Sequence, residues 1–201
     1  MTEFAGSTRL LSVLQRTGGV LDRLRQPWAL VGGLAVSVRV EPRFTRDIDV
    51  AVAVIDDAGA EALVSSLVAS GFRLRSSLEH EALKRLATVR LGPPGEPEEG
   101  VVVDLLFASS GIEGEICREA DRLELAPDLT VPVAQAGHLV VMKLLALAPD
   151  RPQDAIDLHA LVGVLSETDR ARARAAATRI EDLGANRSKP LREELERWLA
   201  P

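Results

Sequence analysis

Three carboxylates stand where strand residues ought to be apolar. Asp47 and Asp49 open the run DIDVAVAV, and Asp104 interrupts VVVDLLF. Side chains two apart on a strand share a face, so Asp47 and Asp49 project together, about 6.6 Å apart along the chain. If the strand carrying Asp104 lies beside theirs, the three acids converge into a cluster of hard oxygens. Such a cluster repels itself unless a divalent cation sits in it, and Mg2+ takes carboxylate ligands. Ions bridging carboxylates and substrate phosphates are the arrangement of phosphate chemistry. Each feature also has a plainer reading. A D-x-D pair can be a solvated strand end, and one aspartate in an apolar strand can be a buried acid satisfied by an arginine. The order says more: a strand, Gly32-Gly33, a helix, a dozen residues, the D-x-D strand, and a third strand aspartate 55 positions after Asp49. A Gly-Gly turn ahead of a helix lets backbone N–H groups approach a phosphate. It lacks the G-x-x-x-x-G-K-[ST] pattern, which disfavours an ATPase of the P-loop kind.

The elements that position these residues follow from pattern. Thr8–Arg25 places leucines at helical spacing, marred by Gly18-Gly19. Trp28–Val31 reads as a buried strand, and Leu34–Val40 as a short helix that Pro42 stops. Asp47–Val54 is strand-like, and Asp57–Ser70 is a helix capped by Asp56 or Asp57 and stopped by Gly71. Phe72–Ser76, Leu83–Leu91 and Val101–Phe107 read as three more strands. GPPGEPEEG between the last two reads as a solvent-exposed hairpin connection. Leu123–Val133 alternates loosely, as one edge strand would. Helices are expected over Ala134–Ala148, Gln153–Leu165, Thr168–Leu183 and Pro190–Leu199. The class is α+β: an N-terminal half (1–132) with a mixed sheet flanked by helices, then a helical C-terminal half (133–201).

Composition narrows the partners. The 201 residues are 46% hydrophobic and 27% charged, an ordinary globular balance. No stretch approaches the roughly 20 apolar residues of a membrane span, and the N-terminus has no secretory pattern, so a soluble cytoplasmic protein is expected. The net charge is −6, and residues 51–150 carry 8 basic against 16 acidic groups, which excludes a chain-wide basic surface for nucleic acid. A local patch from the two ends, Arg39, Arg43 and Arg46 with Arg170, Arg172, Arg174 and Arg179, stays open. Cys117 is alone, which excludes an internal disulfide and a cysteine zinc cluster. His80, His138 and His159 are too scattered for a metal site. With 3% aromatics, Trp28 and Trp198 read as packing residues, not a stacking platform.

Val31-Gly-Gly-Leu-Ala-Val-Ser37 followed by Pro42-Arg-Phe-Thr-Arg-Asp-Ile-Asp49 resembles the signature of the nucleotidyltransferase fold of the DNA polymerase β superfamily. The Gly-Gly-x-Ala turn joined to Arg-x-Thr-x-Asp-Ile-Asp is most similar to the AbiEii-type nucleotidyltransferase toxins of bacterial toxin–antitoxin systems. Lys143 and then Arg151-Pro-Gln-Asp154-Ala-Ile-Asp157-Leu resemble that family's downstream helix, with Gln153 where a lysine is frequent. The likeness covers roughly residues 27–165.

The resemblance implies an Mg2+-dependent transfer of a nucleoside monophosphate from an NTP to an acceptor hydroxyl, with an RNA (tRNA) end as acceptor and an antitoxin as protein partner. It places Gly32 and Gly33 at the triphosphate, with Ser37 a weaker candidate for the same task. Asp47 and Asp49 would bind the metal, Asp104 would be the third carboxylate, and Arg43 and Thr45 would hold the nucleotide or its loop. Lys143 would reach the phosphates, and Asp154 and Asp157 would orient Lys143, touch the substrate, or simply form helix-face ion pairs. A small-molecule acceptor of the aminoglycoside kind is the neighbouring alternative. A catalytically silent nucleotide- or partner-binding module is the other.

Overall fold

The computed structural model describes residues 2–41, 43, 45–80 and 84–200. Seven strands and eight helices follow one another in the order α1 (Thr2–Arg23), β1 (Trp28–Val31), α2 (Gly32–Arg39), β2 (Asp47–Val52), α3 (Asp57–Ala69), β3 (Arg73–His80), β4 (Arg85–Gly92), β5 (Val102–Leu106), α4 (Glu113–Glu119), β6 (Asp121–Ala126), β7 (Leu129–Val133), α5 (Ala136–Ala146), α6 (Pro152–Gly163), α7 (Glu167–Asp182) and α8 (Leu191–Leu199). The strands form one mixed sheet, β3-β4-β5-β2-β1-β7-β6. β2 lies parallel to β5 and antiparallel to β1, while β1 runs parallel to β7. The fold class is α+β.

The central strands are apolar because they are covered. All four residues of β1 are buried, as are Ile48, Val50, Ala51 and Val52 of β2. One continuous apolar core joins the sheet to α1 and to the helices from α5 to α8. β3, at the sheet's edge, is largely exposed on both faces and carries Arg73, Arg75 and Glu79, charges that discourage edge-to-edge pairing.

Helix α1 runs through Gly18-Gly19, which pattern alone reads as a blemish. A Cβ on Gly18 would lie 2.7 Å from the Trp28 ring, so the indole occupies the space that a side chain would take. The indole Nε1 donates to Asp22 Oδ1 at 2.8 Å, which ties the helix to the start of β1. The segment 123–133 is a hairpin and not one edge strand: Asp128, at φ 64°, turns β6 back into β7, and β7 is interior, next to β1. Helix α4 is absent from the sequence reading; at seven residues containing Gly114 it is too short to show a period. The connection 92–100 is not merely solvent-exposed. Glu96 is buried, where it accepts from Arg9 Nε at 2.9 Å and from the Val101 N–H at 2.9 Å.

Asp56 is the cap of α3, accepting from the Gly59 N–H, and Gly71 follows at φ 93°. Helix α7 starts at Glu167 because Ser166 and Asp169 form a capping box. The expected stop at Pro42 and the expected strand start at Leu83, with Phe44 of the quoted stretch, lie outside the described residues. Four of the arginines that left a patch from the two ends open are paired with acids. Arg39 is 2.9 Å from Asp121, Arg172 pairs with Glu119 and Asp169, Arg174 with Glu196 and Arg179 with Glu115.

Helices α5 and α7 cross at Gly137, where an added Cβ would sit 2.3 Å from the Asp169 carbonyl oxygen and 3.1 Å from the Ala173 nitrogen. Both are backbone atoms and cannot rotate away. Gly137→Ala is therefore expected to lower the unfolding free energy by about 2 kcal/mol, the usual penalty of overpacking, as read by urea titration. An unchanged midpoint would show that the crossing tolerates more space.

Candidate active site

Register decides which acids meet. In the β2–β5 pairing Asp49 stands directly opposite Asp104, and Asp47 opposite Val102. Adjacent strands are about 4.8 Å apart, so three carboxylates share one patch of one sheet face. All three line a cavity of about 630 Å³ between this face and helices α5 and α6, within the usual range for small-molecule sites. Gly32, Gly33, Arg43, Thr45, Lys143 and Asp154 line it too.

Asp49 is crowded. Burial first, and then the charge of Asp104, push its carboxyl from the ordinary 3.8 to about 6, against Lys143 and a hydrogen bond from the Gly33 N–H. Burial also raises Asp47. The Gly-Gly pair owes its identity to these neighbours. Gly32 has φ 64°, and a Cβ there would fall 1.9 Å from Asp49 Oδ2. A Cβ on Gly33 would meet Arg43 Nη2 at 2.5 Å.

Asp104 has a partner that sequence reading did not name. Arg90 is its cross-strand neighbour on β4 and grips it with two hydrogen bonds, Nε to Oδ1 at 2.8 Å and Nη2 to Oδ2 at 2.6 Å. The alternative of a buried acid satisfied by an arginine is thus realised at the same residue that joins the acid cluster. Arg90 Nη2 also lies 3.9 Å from Asp47. Arg90 sits in the alternating LATVRLG, where it reads as one more outward-facing charge; only the register reveals its role.

Across the cavity, buried acids hold cations. Asp154 and Asp157, one turn apart on α6, are each 2% exposed. Lys143 Nζ is 2.7 Å from Asp154 Oδ1 and 2.8 Å from Asp157 Oδ2. Arg43 Nη2 reaches Asp157 at 2.7 Å, and Arg151 Nε reaches Asp154 at 2.7 Å. Burial alone would raise the Asp157 carboxyl; hydrogen bonds from Arg43, Lys143 and Gln153 hold it below the usual range. These contacts include the helix-face ion pair Arg151–Asp154, and the same two acids also hold Lys143. Asp157 is not in the cavity wall. Neither is Ser37, whose hydroxyl donates to the Gly33 carbonyl at 3.1 Å and accepts weakly from the Arg43 N–H at 3.4 Å, fastening the loop to α2. The cavity also gathers Ser109, Ser110 and Arg187, none of which carries a sequence signal.

The donor set suits a hard cation at Asp47 and Asp49, two acids whose mutual repulsion such an ion relieves. Among the described residues no group of three acid, histidine or cysteine side chains stands ready to hold a metal ion. At Asp104 the reason is visible: Arg90 already engages both of its oxygens. No described helix is long and apolar enough to cross a membrane.

The sheet with its acids on one face and helices across the cavity is a nucleotidyltransferase fold. An antigenic nucleotidyltransferase-like protein from Paracoccidioides brasiliensis superposes with a TM-score of 0.54 at 18% identity, over 92% of this chain and 94% of that one. The lincosamide antibiotic adenylyltransferase LnuA gives 0.48 at 16% identity, over 77% and 97%. The nucleotidyltransferase toxin MenT4 from Mycobacterium tuberculosis gives 0.38 at 15% identity, over 96% and 90%. The sequence has no match among curated proteins. Residues 14–199 match the family described as nucleotidyl transferase AbiEii toxin, type IV toxin–antitoxin system. The chain belongs to the AbiEii family and is a nucleotidyltransferase.

Because the folded protein raises the Asp49 carboxyl to about 6 from 3.8, it binds that proton more tightly than the unfolded chain does. The charged form therefore weakens the fold above pH 6, and the penalty fades as pH falls toward 4. Asp49→Asn in chelator-treated buffer is expected to stabilise the protein at pH 7.5 by on the order of 1–3 kcal/mol, and by nothing near pH 4. Melting curves at the two pH values check this, and equal effects at both would remove the charge from the account.

Proposed function

We propose that the protein transfers a nucleoside monophosphate from an NTP to the terminal hydroxyl of an RNA, tRNA included, as a cytoplasmic toxin held in check by a cognate antitoxin. The observation that carries the reading is the register that sets Asp49 against Asp104, with Asp47 beside them, across a cavity from fixed cations. Membership in a family described as toxins of a toxin–antitoxin system supports the partner. Residues 1–132 supply the carboxylate wall, and residues 133–201 supply the opposite wall and choose the acceptor.

Asp47 and Asp49 would hold Mg2+, with Asp104 the third carboxylate beside them. Bound there, the ion supplies charge neutralisation for the phosphates. Gly32 and Gly33 present a side-chain-free turn to the triphosphate, and Thr45 and Arg43 bound the nucleotide at the cavity rim. Lys143, oriented by Asp154 and Asp157, gives a fixed positive charge to the phosphate oxygens. Asp104 receives the proton of the acceptor hydroxyl, whose oxygen forms a bond to the α-phosphorus. The bond from that phosphorus to its bridging oxygen breaks, and pyrophosphate leaves. Positioning and charge do most of this work, since the chain forms no covalent bond.

A small acceptor is the second reading, and one observation favours it. The arginines of α7 are paired with acids, so the helical half offers no basic stripe for a nucleic-acid backbone.

Each α-labelled NTP, incubated with Mg2+ and either total tRNA or an aminoglycoside panel, tests both readings. Label on RNA is expected, reduced about a thousandfold or more by Asp49→Ala, a loss of several kcal/mol of transition-state stabilisation. Label on the small molecule would replace the RNA reading. Nucleotide binding with no transfer to either would leave a silent module or a transferase whose acceptor is a protein.

A further inference from the structure

The cavity wall holds two cations that the proposed transfer does not use. Arg187 enters it from the loop between α7 and α8, and Arg151 enters it from the start of α6. The other cations of the cavity wall, Arg43, Arg90, Lys143 and Arg151, each have a carboxylate within 2.7 Å. Among the described residues Arg187 has none; its Nη2 donates to the carbonyl and hydroxyl oxygens of Ser109, both at 3.2 Å.

The backbone that delivers Arg187 is held in an unfavourable shape. Arg187 and Ser188 both adopt left-handed conformations, at φ 52° and 60°, which side chains with a Cβ disfavour. Such residues persist only where the surroundings over-determine them, and they collect at functional sites. Here the surroundings do so. Lys189 Nζ donates to the carbonyl oxygens of Leu144 and Leu147 at the end of α5, and Asn186 Nδ2 donates to the Lys189 carbonyl at 2.8 Å. Although the residue as a whole is exposed, the Arg187 guanidinium is held below its ordinary pKa, first by partial desolvation and then by the charge of Arg151. A group in that position gains from an incoming anion.

We propose that Arg187 and Arg151, with the hydroxyl of Ser109, form a phosphate subsite in this cavity, in addition to the phosphate contacts proposed for Gly32, Gly33 and Lys143. Guanidinium forks and hydroxyls suit phosphate oxygens. The inference builds on the proposed nucleotidyl transfer, in which two sources bring phosphate: the NTP and the backbone of a nucleic-acid acceptor. The subsite takes phosphate from whichever source reaches it.

Calorimetry with inorganic pyrophosphate in metal-free buffer tests the subsite through the comparison of wild type with Arg187 variants, which leave the phosphate contacts proposed for Gly32, Gly33 and Lys143 in place. Wild-type protein is expected to bind it, and Arg187→Gln to bind at least tenfold more weakly. Arg187→Gly relieves the left-handed strain, so it is expected to melt higher than wild type while losing the same affinity, a split that a purely structural residue would not give. Asp49→Ala, the variant that abolishes transfer, is expected to keep its pyrophosphate affinity, so a failure of the transferase reading and a failure of the subsite are read separately. Titration with a non-hydrolysable NTP analogue and with tRNA then identifies the source by which of the two loses affinity in Arg187→Gln. Wild-type protein that binds no pyrophosphate, or an Arg187→Gln variant within twofold of wild type for pyrophosphate, analogue and tRNA alike, overturns the proposal.

Discussion

Two like charges set opposite one another on neighbouring parallel strands are the constraint around which this molecule is arranged. Asp49 and Asp104 face each other by register, with Asp47 two residues away on the same face. At about 5 Å and an effective dielectric near 20, one such pair repels by roughly 3 kcal/mol. A fold does not keep that repulsion without a use for it, and the neighbouring residues answer it one by one. Arg90 neutralises Asp104 from the next strand, the Gly33 N–H donates to Asp49, and Lys143 lends it a distant positive charge. The compensation is incomplete at Asp49, whose carboxyl stays near 6, and that deficit is what an added cation would fill.

The opposite wall solves the inverse problem. There cations must stand at a cavity without collapsing onto the acids of the sheet, and buried Asp154 and Asp157 hold them back. Asp157 alone receives Arg43, Lys143 and Gln153, so a loop, α5 and α6 are fixed relative to one another through one carboxylate. Breaking a buried pair leaves an uncompensated charge, which makes this network as much a scaffold as a charge reservoir. The two walls differ in a telling way. On the sheet Asp47 keeps its side chain nearly half exposed, whereas on α6 both Asp154 and Asp157 are buried against the cations that they hold.

Much of this was legible in the sequence, for physical reasons. β1 and β2 stood out because central strands must be apolar, so Asp47 and Asp49 were conspicuous against them. Asp104 was conspicuous for the same reason, but its meeting with Asp49 is a register 55 residues long in sequence, and no local pattern encodes it. Arg90 hid because an arginine in an alternating strand is the commonest thing a solvent face carries; its function exists only opposite Asp104. Arg187 hid in a polar loop, and its left-handed backbone has no glycine to announce it. The hairpin β6–β7 escaped because its turn is made by Asp128, and the two short strands read as one.

The charge pattern also separates what the site does from what the surface does. Helix α7 is rich in arginine, yet its arginines pair with Glu115, Glu119, Asp169 and Glu196, so they join helices and do not gather into a basic field. Exposed pairs of this kind contribute little to stability, but they do remove a surface from long-range attraction of polyanions. Four cations of the cavity wall are paired too, with Asp157, Asp104 and Asp154, but these pairs hold their cations in place at the cavity, and among the described residues Arg187 stands there with no carboxylate at contact distance. Under the proposed transfer, a phosphate would meet these cations only inside the cavity, so fit within the cavity, and not a basic surface field, would select the substrate.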